Sequence, residues 1–153
     1  PARRGPADDA VAGPFPDRPG LPTFARLEVG SQEEPIIEVT LTMDDRRLVG
    51  RAAGPVTSVE SPRTAAMATL EAMKVLLQTG MRAELGWLDV VDHPDGTRPR
   101  YVIGGVHCTG PRGRQTFLGS ALALGDPRVA AVRATLDAMN RPLRIWRDEA
   151  GTP

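Results

Sequence analysis

The stretch Ala68-Thr69-Leu70-Glu71-Ala72-Met73 recurs downstream as Ala134-Thr135-Leu136-Asp137-Ala138-Met139, with a single exchange of glutamate for aspartate. Each copy lies in a segment with helical apolar spacing, and each segment begins with a similar triplet, Ser61-Pro62-Arg63 or Asp126-Pro127-Arg128. A small polar residue followed by proline is typical of a helix N-terminus, so Ser61 and Asp126 are interpreted as N-caps. The repeated helix, its start and the shared order of elements predict an internal duplication.

The residues upstream of the first helix have the alternation of β-strands. Strands are predicted at 24–29, 37–43 and 46–53, with a turn at Asp44-Asp45 and a break at Gly54-Pro55. The middle strand gives the clearest signal, because its apolar residues fall on one face. These residues are Ile37, Val39, Leu41 and Met43.

The second half repeats this order. Strands are predicted at 83–92, 101–109 and 115–124. The match in sequence extends to the third strand of each half, where Leu48-Val49-Gly50 corresponds to Phe117-Leu118-Gly119. Each half therefore reads as three strands followed by one helix.

Both helices carry an apolar stripe and a stop signal. The first stripe comprises Ala66, Leu70, Met73 and Leu77, and the second comprises Val129, Val132, Leu136 and Met139. Gly80 is expected to end the first helix, and Asn140 and Pro142 the second. The sequence predicts an α+β fold of two tandem βββα units, in which an antiparallel sheet has two helices packed on one face. Unit one spans 23–80 and unit two spans 81–143.

The two ends of the chain lack this regularity. Residues 1–22 carry six prolines and charges of both signs without any period, which predicts a disordered Pro/Gly-rich arm. Residues 144–153 are interpreted as a C-terminal tail, in which Ile145 and Trp146 can pack onto the folded body.

Composition narrows the class of protein. The hydrophobic fraction of 41% and the charged fraction of 25% are typical of a soluble globular protein. The balance of 19 basic and 19 acidic residues argues against nucleic acid or a membrane surface as partner. Cys108 is the only cysteine, which fits a reducing cytoplasm, and the preference for arginine over lysine indicates a GC-rich bacterial genome. No apolar run approaches the ~18 residues of a membrane span.

The residues that could carry chemistry form no recognisable constellation. His107 and Cys108 are adjacent on a strand and must point to opposite faces, so they cannot hold one metal ion together. His93, between Asp92 and Asp95, belongs to a turn. There is no nucleophile elbow and no carboxylate pair with a spacing that would force acid–base work. The sequence predicts a protein that is not an enzyme, with no metal, no cofactor and no catalytic residue.

One loop has the features of a ligand site. Residues 50–55 contain glycines but lack both the dinucleotide fingerprint and the lysine of a P-loop. The loop runs from a strand to a helix N-terminus, where free backbone N–H groups favour an anion. Its counterpart at Gly125-Asp126 is shorter and already holds a carboxylate, so the first loop is the better candidate.

At this point the two units resemble a known family, the C-terminal regulatory domain of α-isopropylmalate synthase, which also occurs in citramalate synthase. The residues that carry the resemblance are Gly50, Gly54-Pro55-Val56, Gly119 and Ala138-Met139-Asn140-Arg141. The resemblance covers residues 24–143. It implies a domain that pairs with a second copy and binds an end-product amino acid between the copies, which inhibits a remote catalytic barrel. By this resemblance Gly54, Pro55 and Val56 are the candidate ligand-binding residues.

Two departures from the family matter. The 153 residues contain neither the barrel nor its metal-binding residues, and the loop carries extra residues, Thr57 to Glu60, before its helix. The leading hypothesis is a dimeric regulatory module that binds a small molecule. A protein-interaction or scaffold domain without a ligand is the alternative. The homodimer is expected to bury strand residues such as Leu85, Trp87 or Phe117.

Binding of double-stranded RNA is a further alternative, because residues 61–139 follow the α-β-β-β-α order of that module. It is disfavoured because Asp126 places a carboxylate where the second helix would meet phosphate.

Overall fold

The computed structural model of the protein describes residues 20–57 and 61–151. Along these residues the chain runs through three strands and a helix, and then repeats that order. The elements are β1 (Thr23–Val29), β2 (Ile36–Met43), β3 (Arg46–Ala53), α1 (Ser61–Met73), a short 3-10 helix (Lys74–Leu76), β4 (Arg82–Val91), β5 (Tyr101–Gly110), β6 (Gly113–Leu122) and α2 (Pro127–Gly151). The α+β fold of two tandem βββα units is confirmed. The strands divide into two antiparallel sheets, ordered β1-β2-β3 and β4-β5-β6.

The predicted alternation places the core side of the first sheet. Ile37, Val39 and Leu41 on β2 are all fully buried, whereas the residues between them face away from the helices. The turn from β2 to β3 brings Asp44 to a φ of 54°, a conformation that aspartate tolerates better than most residues.

The strand registers of the two units match residue for residue. In the first sheet Phe24 lies opposite Leu41, and the register then skips Ala25. In the second sheet Leu85 lies opposite Val106, and the register skips Gly86. A β-bulge at the same place in both first strands is a feature that unrelated sheets would not share. The predicted duplication therefore extends to an irregularity of the backbone.

Each helix packs closely on the third strand of its own unit. A Cβ atom at Gly50 would overlap the carbonyl oxygen of Ala68, and one at Gly119 would overlap that of Ala134. Leu70 and Leu136 keep only 7% and 6% of their surface exposed, so both are core residues, as predicted. The alanine-rich helices and these glycines together explain a core with few aromatic side chains.

The two helices also contact each other, and each reaches the first strand of the opposite unit. Helix α1 packs on β2 and β3 and also touches β4, while α2 packs on β5 and β6 and also touches β1. The helix pair therefore joins the two sheets, and each sheet has an inner face on the helices and an outer face turned away from them. This joint core, rather than either unit alone, makes the folded body.

The prediction that the second helix ends at Asn140 and Pro142 is wrong, because α2 continues to Gly151. Proline at 142 cannot donate to the carbonyl of Ala138, which ordinarily destabilises a helix interior. Here Pro142 and Leu143 are buried, and Trp146 packs on the core, so tertiary packing offsets the lost hydrogen bond. The predicted tail 144–153 is helical up to residue 151, and residues 152–153 lie outside the described residues.

The predicted arm 1–22 falls mostly outside the described residues, which begin at Gly20. Its last residues belong to the folded body: Leu21 is buried in the core. The amide of Gly20 donates to Asp44 Oδ1 at 3.1 Å, and its carbonyl accepts from Arg147 Nη1 at 3.2 Å. The long C-terminal helix therefore secures the start of β1.

Candidate functional site

The Gly-Pro-Val loop (Gly54–Val56) connects β3 to α1 and lies against the first turns of that helix. The amide of Gly54 donates to the carbonyl of Pro35 at 2.9 Å, which fixes the end of β3. Thr64 Oγ1 donates to the carbonyl of Pro55 at 3.3 Å. A Cβ at Gly54 would lie only 2.6 Å from Thr64 Oγ1, so the close approach of loop and helix requires glycine here.

Ser61 begins α1 next to this loop and has an unsatisfied hydroxyl. Its amide donates to the carbonyl of Thr57 at 2.8 Å, but its buried Oγ has no hydrogen-bond partner among the described residues. A buried hydroxyl without a partner costs about 1–3 kcal/mol, so such atoms are uncommon in native proteins. Residues 58–60, which precede Ser61, lie outside the described residues.

The prediction that Ser61 is an N-cap is wrong by one residue. The repeated hexapeptides begin at Ala68 and Ala134, 66 residues apart, and the helices begin at Ser61 and Pro127, also 66 apart. Ser61 is therefore the counterpart of Pro127, and the counterpart of Asp126 is Glu60. The similarity of the two Pro-Arg triplets is out of step with the repeat by one position.

Helix α2, by contrast, has its N-terminal donors satisfied by Asp126. Asp126 Oδ1 accepts from the amide of Arg128 at 2.9 Å, and the Asp126 carbonyl accepts from Val129 and Ala130. Partial burial tends to raise the pKa of Asp126, but the hydrogen bonds from the side chain and backbone of Arg128 outweigh it and hold that pKa below its ordinary value. This carboxylate stays charged at neutral pH and stabilises the helix start.

The residues considered for metal or nucleophilic chemistry lie apart. Cys108 faces the core, 3.8 Å from the sulfur of Met139, and burial raises the pKa of its thiol to about 11. His107 points to the other face, where its Nδ1 lies 2.8 Å from Thr116 Oγ1. His93 is in the turn after β4, with its ring centroid 6.1 Å from that of Tyr101. Over residues 20–57 and 61–151, no three His, Cys, Asp or Glu residues are grouped as a metal site would require.

Sequence reasoning found the Gly-Pro-Val loop but missed the hydroxyl of Ser61, which was assigned to capping. No local pattern separates a capping serine from a buried one. The distance of 66 residues between the two hexapeptides was the available signal, because it pairs Ser61 with a first helical residue and not with a cap.

No helix of the described segments combines the length and the apolar content required to cross a bilayer. A comparison of the sequence with models of known protein families and with curated proteins finds no match.

Proposed function

We propose that the chain is a non-catalytic regulatory module that binds a small molecule beside the Gly-Pro-Val loop, at the first turn of α1. The observation that carries the proposal is the buried hydroxyl of Ser61, which has no partner among the described residues. A ligand oxygen that accepts from Ser61 Oγ would satisfy it. The first turn of a helix also presents backbone N–H donors and a positive dipole end, which favours a carboxylate on the ligand.

The resemblance to the regulatory domain of α-isopropylmalate synthase supports the same region. Gly54, Pro55 and Val56 carry the family motif, and they line the approach to Ser61. Gly54 is held against Thr64, so the loop offers a preformed wall. We place the module in the cytoplasm, because its only cysteine is unpaired and buried.

We further propose that the module works as a homodimer. Of the three residues expected at the interface, Leu85 and Phe117 pack against the core, so they cannot serve on the outer face. Trp87 lies on the outer face of the second sheet, with 38% of its surface exposed. Leu118 and Leu122 are exposed on the same face, which makes it the better dimer surface.

That outer face also favours one alternative, a protein-interaction domain without a small ligand. An exposed apolar face suits a different protein as well as a second copy. The two functions differ in their response to small molecules, which gives the test.

A thermal-shift screen with amino acids, other small carboxylates and nucleotides tests the proposal. A ligand at 100 times its dissociation constant adds about 2.7 kcal/mol to the unfolding free energy. Ser61→Ala removes the hydroxyl with little change in shape, and it should weaken binding roughly tenfold, since hydrogen bonds to charged groups contribute about 1.5–3 kcal/mol. Pro55→Glu, at an exposed position, should weaken an anionic ligand by repulsion.

Gly125→Ala provides the matched control, because it lies in the shorter loop of the second unit and its added Cβ meets nothing within 4 Å. It should bind as the unaltered protein does. A screen in which no carboxylate raises the melting temperature, or a ligand that Ser61→Ala binds equally well, would reject the site.

A further inference from the structure

A groove of about 680 Å³ lies between α1 and β4, on a different part of the molecule from the Gly-Pro-Val loop. Its floor is apolar and comprises Met67, Leu70, Leu77, Met81 and Leu85. The volume is within the range of small-molecule sites. Met67 keeps 43% of its surface exposed although it is apolar, because nothing in the described structure covers it. We call this the open groove.

The duplication supplies a counterpart of the open groove between α2 and β1, and that counterpart is closed. The helix position 66 residues after Met67 is Arg133. The strand position equivalent to Leu85 is Phe24, since the same bulge follows each. The guanidinium carbon of Arg133 lies 5.7 Å from the centroid of the Phe24 ring, which closes the space between helix and strand by a cation–π contact.

The two grooves also differ in charge. Three basic residues line the open groove, Arg63, Lys74 and Arg82. Their counterparts in the closed groove are all uncharged: Val129, Asn140 and Leu21. The open groove also contains Glu71 and Glu84, but Glu71 is paired with Lys74 at 2.7 Å. Two arginines and one glutamate remain on the rim, so the excess charge is positive.

We propose that the open groove binds an aliphatic carboxylate, with its hydrocarbon chain on the apolar floor and its carboxylate at the arginines of the rim. Apolar surface drives the burial of the chain, and the two methionines adapt to its shape. Arginine is suited to hold a carboxylate at a partly exposed position. The closed groove shows what the fold does with this space where no ligand is bound: it fills the space with Arg133 and Phe24.

Calorimetric titration of the full chain with decanoate, octanoate and decanol tests the proposal. Decanoate should bind with one site per chain, and octanoate should bind more weakly by roughly fourfold for each missing methylene. Arg82→Leu copies the counterpart residue Leu21, and it should weaken decanoate by up to about fivefold, as expected for an exposed ion pair. Binding of decanol, which has the same chain without the charge, should not change.

The double variant Met67→Arg/Leu85→Phe copies the pair that closes the other groove. It should weaken decanoate at least tenfold, while an unchanged circular dichroism spectrum shows that the fold is kept. Met67→Leu is the matched control and should bind normally. If the double variant does not fold, the chain-length series and Arg82→Leu still decide, because neither depends on it.

Ser61→Ala separates this site from the one proposed above, and it should bind decanoate as the unaltered protein does. Equal affinity for decanoate and octanoate, or full binding by the double variant, overturns the open groove as the site. Loss of decanoate binding in Ser61→Ala would assign the carboxylate to the Gly-Pro-Val loop instead, and would also reject the groove.

Discussion

The outer faces of the two sheets occupy equivalent places in the duplicated fold, yet their chemistry is opposite. The first sheet carries charged pairs on this face, Arg26 with Glu28 and Arg51 with Glu38. The second carries Trp87, Leu118 and Leu122, which are all exposed. In register terms the row Arg26, Thr40 and Val49 in the first sheet corresponds to Trp87, Gly105 and Leu118 in the second.

The inner faces, by contrast, have kept the same residues or the same sizes. Gly50 and Gly119 both receive a helix backbone, and Leu70 and Leu136 are buried to the same degree. Thr69 and Thr135 each donate to the carbonyl four residues earlier at 2.8 Å. The comparison shows that packing holds the inner face constant, whereas the outer faces are free to take on different roles.

The apolar outer face is also shaped in advance. The Trp87 ring lies over Gly105, where any Cβ would overlap it. Its ring centroid is 6.1 Å from that of His107, which sits beside it on the same face. A tryptophan that is already fixed in place loses little side-chain entropy on binding, which suits it to the centre of an interface.

The largest effect is expected from the two helix leucines, and it tests whether the units are equivalent inside. Leu70→Ala and Leu136→Ala should each lower the unfolding free energy by about 2–5 kcal/mol, because each leaves a cavity in the shared core. Urea denaturation of the two variants measures this. A loss below about 1 kcal/mol in one variant alone would mean that only one unit carries the core.

The strand glycines should give the next largest effect. Gly50→Ala and Gly119→Ala place a methyl group against a helix backbone, which should cost about 1–3 kcal/mol in each case. Gly125→Ala is the control, because its Cβ meets nothing within 4 Å, and it should leave the melting curve unchanged. If the two strand variants differ widely, the helices do not pack alike on the two sheets.

Much of this inner framework could be predicted from the sequence. The alternation on β2 and the turn at Asp44 define the first sheet, and β3 has the predicted bounds of Arg46 and Ala53. These signals are local, since they depend on residues a few positions apart. The repeated hexapeptide then gave the equivalence of Leu70 and Leu136.

The features that sequence reasoning missed depend on contacts between distant segments. Pro142 is a helix breaker by local rules, and only burial of Leu143 and Trp146 explains why α2 continues. The open groove depends on Met67 and Leu85 lying apart while Arg133 and Phe24 meet, and no local pattern encodes that difference. In the same way, a buried Ser61 hydroxyl is visible only once the loop is packed on the helix.

The outer-face comparison gives a third prediction, on association. If the second sheet forms the proposed homodimer, Trp87→Arg should raise the dissociation constant at least tenfold, as expected for a central aromatic residue. Sedimentation at micromolar concentration measures the change. Val49→Arg, on the equivalent face of the first sheet, should have no effect. A protein that is monomeric before any substitution would favour the scaffold alternative.

The smallest effect concerns the start of α2. Replacing Asp126 by alanine removes the cap and should cost about 0.5–2 kcal/mol at neutral pH. Because hydrogen bonds from Arg128 hold the pKa of Asp126 below the ordinary value of 3.8, the charged form stabilises the fold above that pH. The difference between the two proteins should therefore shrink as the pH falls below 3.8 and through the lowered pKa. Asp126→Asn keeps an oxygen for the Arg128 amide and loses the charge, so its smaller deficit should also narrow over that range. Urea denaturation at a series of pH values measures both, and a deficit of Asp126→Ala that stays constant on acidification would show that the charge contributes nothing.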